Sequence, residues 1–403
     1  MSTLDDTLPV SPTSADAGGR LHDIVGSYLE SRADTPLLVR EQIARDPDHL
    51  MARCMMGYLS RLAGDAVNAG RARQVHADLT RRVEAGAGTA WEHDHVTALG
   101  LWLDDRLDVL MTHLEGVLDA QPTDTLALRM LHYLYFYDGD AARMRDSVRR
   151  RLPGYAGHPF EAFVHGMLSF GLEEAGDYAE AETEGRSAVD RNPRDIWAAH
   201  AVAHVMEMQG RPEDGIGWIQ GLRRHWDGAN NFRHHLDWHE ALFHLRRHDL
   251  DAVLRLYDDT VGPAIADDFY LDLCNAASLL LRIEAAGGEV GDRWQPLARI
   301  AEGHVEDTEL VFASLHYLMP LLKTGHPAAA RLLATLEAWS ARDTTQGRVV
   351  AQVALDVAHF LEALNRRDRA SAAAAHDRFR QGLHRIGGSH AQRALFHLLN
   401  DAA

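Results

Sequence analysis

The chain has 403 residues, of which 46% are hydrophobic, and it carries a formal net charge of −18 at pH 7. This length and hydrophobic content allow two or three ordinary domains or one long array of repeats. The acidic balance argues against a nucleic-acid or anionic-membrane surface, because binding to phosphate groups requires clustered lysine and arginine. We therefore expect neither nucleic acid nor a membrane as a partner.

The N-terminal segment and the cysteines indicate a compartment. Residues 1–19 are rich in Ser, Thr, Asp, Pro and Gly and lack an apolar stretch, which predicts a disordered tail rather than a signal peptide. No apolar run reaches the ~18 residues of a membrane span. Cys54 and Cys274 form neither a CxxC motif nor a disulfide framework, as is typical of a reducing compartment. We expect a cytoplasmic protein.

Apolar residues recur at spacings of three and four along most of the chain, and alternating strand patterns are scarce. This periodicity predicts an all-α protein. Turn sequences interrupt the pattern near Gly64, Asp105, Gly139, Gly176, Gly210, His248, Gly287, Gly325 and Arg367. From Gly139 onwards, the turns up to Gly325 lie 34 to 39 residues apart. That spacing is close to the helix–turn–helix period of tetratricopeptide repeats, about 34 residues.

The clearest unit covers residues 160–193, with Gly176 at its turn and Pro193 where its second helix must stop. Such a unit cannot bury its apolar face alone, so neighbouring units must stack. We predict a continuous, right-handed α-solenoid of about eight helix pairs over residues 20–403, with a concave groove. The alternative is a helical domain without repeats, in which the turns are evenly spaced by chance.

The central part of the chain, about residues 131–325, resembles the tetratricopeptide repeat protein 38 family. The segments that support this resemblance include YFYDGDAARMRDSV, FGLEEAGDYAEAE and, as the most specific, AHAVAHVMEMQGR. His248 replaces an expected turn glycine, and Ser314 stands where an acid is expected two residues before His316. The resemblance implies an α-solenoid of divergent repeats and says little about a mechanism.

A cluster of polar residues lies in the stretch WAAHAVAHVMEMQG. Counting back from the turn at Gly210 places Trp197, His200, His204 and Glu207 on the groove face of one helix. The two histidines are four residues apart, so they share that face. Since groove positions face solvent, we expect alanine substitutions of both histidines to leave the fold nearly intact.

A second cluster follows in the stretch HHLDWHEALFH. The turn at His248 places His235 and Trp238 on the groove face and His239 at its edge. Because adjacent repeats stack their helices about 10 Å apart, these side chains should converge with those of the first cluster. Near the edge of a later helix, His316 completes the predicted ligand-binding set, which comprises Trp197, His200, His204, Glu207, His235, Trp238 and His316.

Three interpretations of the histidines remain open. The first is a polar groove that binds a peptide, a protein or a small molecule, since helical repeat arrays mostly display recognition surfaces. The second is a site for a divalent metal such as zinc, with His200, His204, His235 and His239 as ligands, whose affinity should fall below about pH 6.5. The third is metal-free acid–base chemistry or anion binding by clustered imidazoles.

An enzyme that uses these residues would be a hydrolase or a lyase, with or without a metal. Glu240, the residue after His239, is a candidate general base, although the HExxH signature of zinc hydrolases is absent. The catalytic candidates under this interpretation are His200, His204, Glu207, His235, His239 and Glu240.

Overall fold

The computed structural model describes residues 8–14 and 16–402, and within these residues the chain is helical. No strand forms in this described part, where the one β contact is an isolated antiparallel bridge between Arg32 and Ala229. The prediction of an all-α protein is confirmed.

The helices follow one another with short connections. The N-terminal helices are α1 (Ala17–Leu29), α2 (Thr35–Arg45), α3 (Leu50–Leu62), α4 (Ala66–Glu84), α5 (Ala90–Leu103), α6 (Leu107–Ala120), α7 (Thr125–Asp138) and α8 (Ala141–Arg151). The central helices are α9 (Glu161–Glu174), α10 (Tyr178–Arg191), α11 (Ile196–Met208), α12 (Pro212–Leu222), α13 (Phe232–Arg246), α14 (Leu250–Leu256), α15 (Gly262–Ala264) and α16 (Tyr270–Ala285). The C-terminal helices are α17 (Trp294–Ala301), α18 (Val311–Lys323), α19 (Ala328–Ser340), α20 (Thr345–Val349), α21 (Leu355–Asn365), α22 (Arg369–Phe379) and α23 (His390–Ala402).

The predicted turns coincide with residues that have left-handed backbone conformations. Gly176, for example, has a φ of 87°, and His248, which replaces glycine, has a φ of 58°. A left-handed residue ends a helix by turning the chain back, and glycine accepts this conformation without a steric penalty. Positive φ occurs at all nine predicted turns: Gly64, Asp105, Gly139, Gly176, Gly210, His248, Gly287, Gly325 and Arg367.

Consecutive helices pack against each other, most extensively in the pairs α9–α10, α3–α4 and α21–α22. A second set of contacts joins helices that are two or three places apart in the chain into a row. This row runs through α7, α9, α11, α13, α16, α18 and α21. Because α11 and α13 are neighbours in it, side chains on their facing surfaces meet.

Contacts between distant parts of the sequence cover the row on its inner side. The guanidinium group of Arg61 lies 3.5 Å from a carboxylate oxygen of Glu309, and that of Arg393 lies 3.2 Å from a carboxylate oxygen of Glu174. The last helix, α23, also packs on α11 and α16. The inner helices therefore face other parts of the chain.

The predicted N-terminal tail falls partly outside the described residues, which omit residues 1–7 and 15. In its described part, Ser11 donates a hydrogen bond to Glu92, and Thr13 donates one of 2.6 Å to Asp46. Since α1 begins at Ala17, the helical body starts before the predicted boundary at residue 20. No helix in residues 8–14 and 16–402 is both long and apolar enough to cross a membrane.

Candidate metal centre and adjoining pocket

Two neighbouring helices position the four histidines His200, His204, His235 and His239, which we call the histidine cluster. The first two lie one turn apart on α11, and the other two lie one turn apart on α13. The opposite surface of α11 is small and apolar, so the helix packs closely and orients the histidines inward. Its residues Ala199, Val202, Ala203 and Met206 are buried and belong to one hydrophobic cluster, which is consistent with the predicted packing face.

The cluster brings imidazole nitrogens within contact distance of one another. The Nε2 atom of His200 lies 2.8 Å from Nε2 of His204 and 3.1 Å from Nε2 of His235. His239 contributes a nitrogen to the same group, in which the four ligand atoms all lie within 4.8 Å of one another. The predicted convergence of these histidines is therefore present in the structure.

Protons of neutral imidazoles do not satisfy this arrangement. Nδ1 of His235 lies 2.9 Å from Oδ1 of Asn275, which only accepts, so this nitrogen carries the hydrogen and Nε2 carries a lone pair. If Nε2 of His200 also carries a lone pair, two lone pairs face each other. If it carries a hydrogen, that single hydrogen must serve both His235 and His204. A cation placed among the nitrogens would accept one lone pair from each of the three Nε2 atoms, with each ring's hydrogen on Nδ1.

The nitrogen separations match the dimensions of a metal site. Zinc binds imidazole nitrogen at about 2.0–2.1 Å, and tetrahedral angles then place neighbouring nitrogens roughly 3.3 Å apart. The measured separations of 2.8 and 3.1 Å are slightly shorter than this. For these two pairs, binding zinc requires changes of only a few tenths of an ångström, and the other pairs of the cluster lie within 4.8 Å.

Burial keeps the cluster neutral. It lowers the pKa of His200, His204 and His239 well below the usual value, and repulsion from a neighbouring imidazole, whenever that ring is protonated, lowers it further. It also lowers the pKa of His235, to about 4, against the opposing effect of the hydrogen bond to Asn275. Metal ligation requires neutral imidazole, so the loss of metal affinity predicted below pH 6.5 moves to lower pH.

The expectation that His200 and His204 face solvent is wrong. Their exposed fractions are 2% and 0%, and those of His235 and His239 are 3% and 0%. The helical array closes over its inner row of helices, which the local sequence of α11 does not reveal. Alanine substitutions of His200 and His204 would therefore leave a cavity in the interior and destabilise the fold. The prediction that they would leave the fold nearly intact assumed that both side chains face solvent.

Glu173 on α9 adds a carboxyl group behind the cluster. Its exposed fraction is 0%, neither oxygen has a hydrogen-bond partner, and Oε2 lies 3.7 Å from Nδ1 of His204. Burial, and then the neighbouring carboxylate of Glu174, raise the pKa of Glu173 well above its usual value, and Arg393 opposes this shift. A carboxylate beside the outer nitrogen of a histidine is a common support of metal ligands.

A pocket of about 350 Å³ adjoins the cluster, and we call it the aromatic pocket. His200, His204 and His235 line it, whereas His239 does not. Its aromatic lining residues are Tyr28, Tyr133, Phe136, Tyr137, Trp197, Phe232, Phe269 and Tyr270. Apolar walls with a few polar groups at one place are typical of small-molecule sites.

The two carboxylates predicted for the site are engaged elsewhere. Glu240 accepts a hydrogen bond of 2.8 Å from Gln220 and another from Arg223. Glu207 lies 3.2 Å from Arg246 through Oε1, while its Oε2 has no partner. Neither belongs to the histidine cluster or lines the aromatic pocket, so the structure does not place them as metal ligands or bases at the cluster.

The other predicted ligand-binding residues separate into three groups. Trp197 lines the aromatic pocket, as expected. Trp238 is fully buried and stacks on His235 with ring centroids 5.1 Å apart, so it supports a cluster member from behind. Nδ1 of His316 donates a hydrogen bond of 2.8 Å to the carbonyl oxygen of Phe312, and this residue belongs to neither the histidine cluster nor the aromatic pocket.

Several residues of the site were missed, although the sequence contained a signal for them. Counting back from each turn glycine gives equivalent positions in successive units. Glu173 corresponds to Glu207, and Arg129 corresponds to His200. Applying the register of α11 to the two preceding units would have placed both residues on the inner face.

No model of a protein family matches the sequence. The resemblance to the tetratricopeptide repeat protein 38 family therefore stays a prediction. What the structure defines is an all-helical protein with a buried four-histidine cluster next to an aromatic pocket.

Proposed function

We propose that this protein binds a small molecule in the aromatic pocket, next to a divalent metal ion held by the histidine cluster. Zinc is the metal that imidazole ligands at these separations suit best. The observation that supports the proposal is the set of facing Nε2 atoms of His200, His204 and His235, whose own hydrogens do not satisfy them.

The shape of the site favours a small molecule over a peptide or a protein segment. The histidines are at most 3% exposed, and three of them line a pocket of about 350 Å³. That volume lies in the lower range of small-molecule sites. A peptide bound along an open groove would instead need a continuous exposed surface on the inner helices.

We also propose that the helix pairs are tetratricopeptide-like repeats forming a right-handed α-solenoid whose concave side is filled. Left-handed residues at regularly spaced turns and the row of helices from α7 to α21 support this proposal. The resemblance of residues 131–325 to the tetratricopeptide repeat protein 38 family is consistent with it.

A metal-dependent hydrolase or lyase is the second candidate. It is favoured because three of the four histidines line the pocket, so a bound metal and a bound molecule would be neighbours. Zinc in such a position polarises a carbonyl or activates water. Glu173 does not line the pocket, so its part would be to orient His204 and to balance the charge of the metal.

Metal stoichiometry tests the proposal. The full-length protein is freed of metal with a chelator, reloaded with zinc and measured by elemental analysis and calorimetry. We expect one zinc per chain, with binding at least tenfold weaker in His200→Ala and His235→Ala. The matched control is His376→Ala, because His376 and His397 form an exposed imidazole pair with the same nitrogen separation, 2.9 Å. Equal losses in all three variants, or no stoichiometric zinc, would contradict the proposal.

A further inference from the structure

Arg129 on α7 places a positive charge in the wall of the aromatic pocket. Its guanidinium carbon lies 4.0 Å from the ring centroid of Trp197. Among the described residues, no carboxylate forms an ion pair with it within 4.0 Å. Arg129 is half-buried in this largely apolar wall, and a charge taken partly out of water is costly unless it is paired.

Asp195 is the carboxyl group that acts on Arg129, and it is a poor counter-charge. Its Oδ1 accepts a hydrogen bond of 3.0 Å from the backbone N–H of Ala198, and Oδ2 has no partner. Burial raises the pKa of Asp195 to about 7, against the opposing effects of that hydrogen bond and of Arg129. At neutral pH a large fraction of its carboxyl groups is therefore uncharged.

The second arginine of the pocket is already paired. Arg32 forms two hydrogen bonds of 2.9 Å with the carboxylate of Asp34. Arg129 is thus the one pocket cation, within the described part of the chain, that lacks a carboxylate partner. One planar guanidinium matches one carboxylate, to which it can donate two parallel hydrogen bonds.

Backbone hydrogen bonds join two loops that line the pocket. Ser31 accepts a hydrogen bond of 2.7 Å from the backbone N–H of Asn230, and Gly228 accepts one of 2.9 Å from that of Ala33. These contacts join the connection between α1 and α2 to the segment before α13. A ligand of this pocket would therefore lie beside a fixed junction of two loops, in a space of about 350 Å³.

We propose that the ligand of the aromatic pocket is a small carboxylate with an aromatic or apolar body. Its carboxylate binds Arg129, and its body packs on the aromatic side chains in the direction of the histidine cluster. The inference rests on the proposed function, because it takes the same pocket as the binding site. A neutral ligand would leave the charge of Arg129 without a partner, and a cationic ligand would be repelled.

Matched ligands test the charge requirement in the unmodified protein. The probes are 2-naphthoate and its neutral counterpart 2-naphthamide, together with benzoate and 3-phenylpropionate as carboxylates of other shapes. Dissociation constants are measured by calorimetry on zinc-loaded and on chelator-treated protein. We expect at least one carboxylate to bind, and 2-naphthoate to bind at least tenfold more tightly than 2-naphthamide. Equal affinity for these two, or no binding of any carboxylate, would overturn the inference.

Arginine variants locate the effect. Arg129→Met should weaken carboxylate binding 10- to 100-fold and leave the affinity for 2-naphthamide unchanged. The control is Arg186→Met, since Arg186 also lies over a tryptophan, Trp218, at 4.8 Å but outside the aromatic pocket. Equal binding by both variants would overturn the assignment to Arg129. If Arg129→Met does not fold, the comparison of 2-naphthoate with 2-naphthamide in the unmodified protein still tests whether the ligand must carry a negative charge.

The zinc measurements separate this inference from the proposed function. If the protein binds one zinc per chain but shows no preference for carboxylates, the proposed metal centre is supported and the proposed carboxylate ligand is refuted. Carboxylate binding that depends on Arg129, in a protein that takes up no zinc, would support the ligand class and refute the metal centre.

Discussion

Replacing His239 by leucine should stabilise the metal-free protein and reduce the further stabilisation that zinc provides. His239 is fully buried, and neither ring nitrogen has a hydrogen-bond partner. Each unpartnered polar group costs about 1–3 kcal/mol when buried, and an imperfectly fitting apolar replacement costs up to about 1.5 kcal/mol. We therefore expect His239→Leu to raise the free energy of unfolding of the metal-free protein by about 1–3 kcal/mol.

With zinc present, the same substitution removes a ligand. A ligand at about 1,000 times its dissociation constant stabilises the native state by about 4 kcal/mol, and each tenfold loss of affinity removes about 1.4 kcal/mol of that gain. The gain on adding zinc should therefore be smaller in His239→Leu than in the unmodified protein. Urea unfolding in chelator and in buffered zinc measures both quantities.

His132 offers a matched control. It is 1% exposed, and both of its ring nitrogens also lack partners, but it lies outside the histidine cluster. His132→Leu should stabilise the metal-free protein similarly and leave the response to zinc unchanged. If His239→Leu destabilises the metal-free protein and keeps the full zinc response, the cluster is apolar packing and our account of its nitrogens is refuted.

Three further predictions concern packing, charge compensation and pH. Gly171→Ala should destabilise the protein by about 1–3 kcal/mol in urea unfolding, because the added Cβ would lie 2.8 Å from the backbone of Arg145. Gly116→Ala is the control, and it should be neutral or stabilising because open space surrounds Gly116. Zinc binding at pH 7 should release about one proton more from the unmodified protein than from Glu173→Gln, because the raised pKa of Glu173 favours its protonated form. Calorimetry in buffers of different ionisation enthalpy measures the number of protons released, and equal numbers for the two proteins would contradict this. Burial alone would lower the pKa of His304, but its two aspartate partners raise it to about 9, so its stabilising effect is complete below pH ~6.5 and is lost as the pH rises through about 9. His304→Gln should therefore cost about 1–2 kcal/mol at pH 6 and little at pH 10, and an equal cost at both pH values would contradict this.

The local features of the fold could be predicted from the sequence. Spacings of three and four residues indicate helices, and residues such as Gly176 mark the turns because left-handed backbone favours glycine. His248 shows that a turn can be placed by spacing even when glycine is absent. These signals act within a few tens of residues, which is the range that a periodic pattern covers.

The closure of the inner face could not be predicted in the same way. It depends on pairs such as Arg61 with Glu309, which are far apart in the sequence and have no pattern that links them. For that reason the convergence of His200 and His235 followed from the register, whereas their burial did not. Arg129 was missed for another reason, since the register was not applied to its unit.

X-ray absorption at the zinc edge, measured on the full-length protein loaded with one zinc per chain, tests the central claim most directly. Our account predicts a first coordination shell that includes three or four imidazole nitrogens at about 2.0–2.1 Å, reduced by at least one nitrogen in His204→Ala. A shell of water and carboxylate oxygens without imidazole, or a spectrum that is unchanged in His204→Ala, would contradict it.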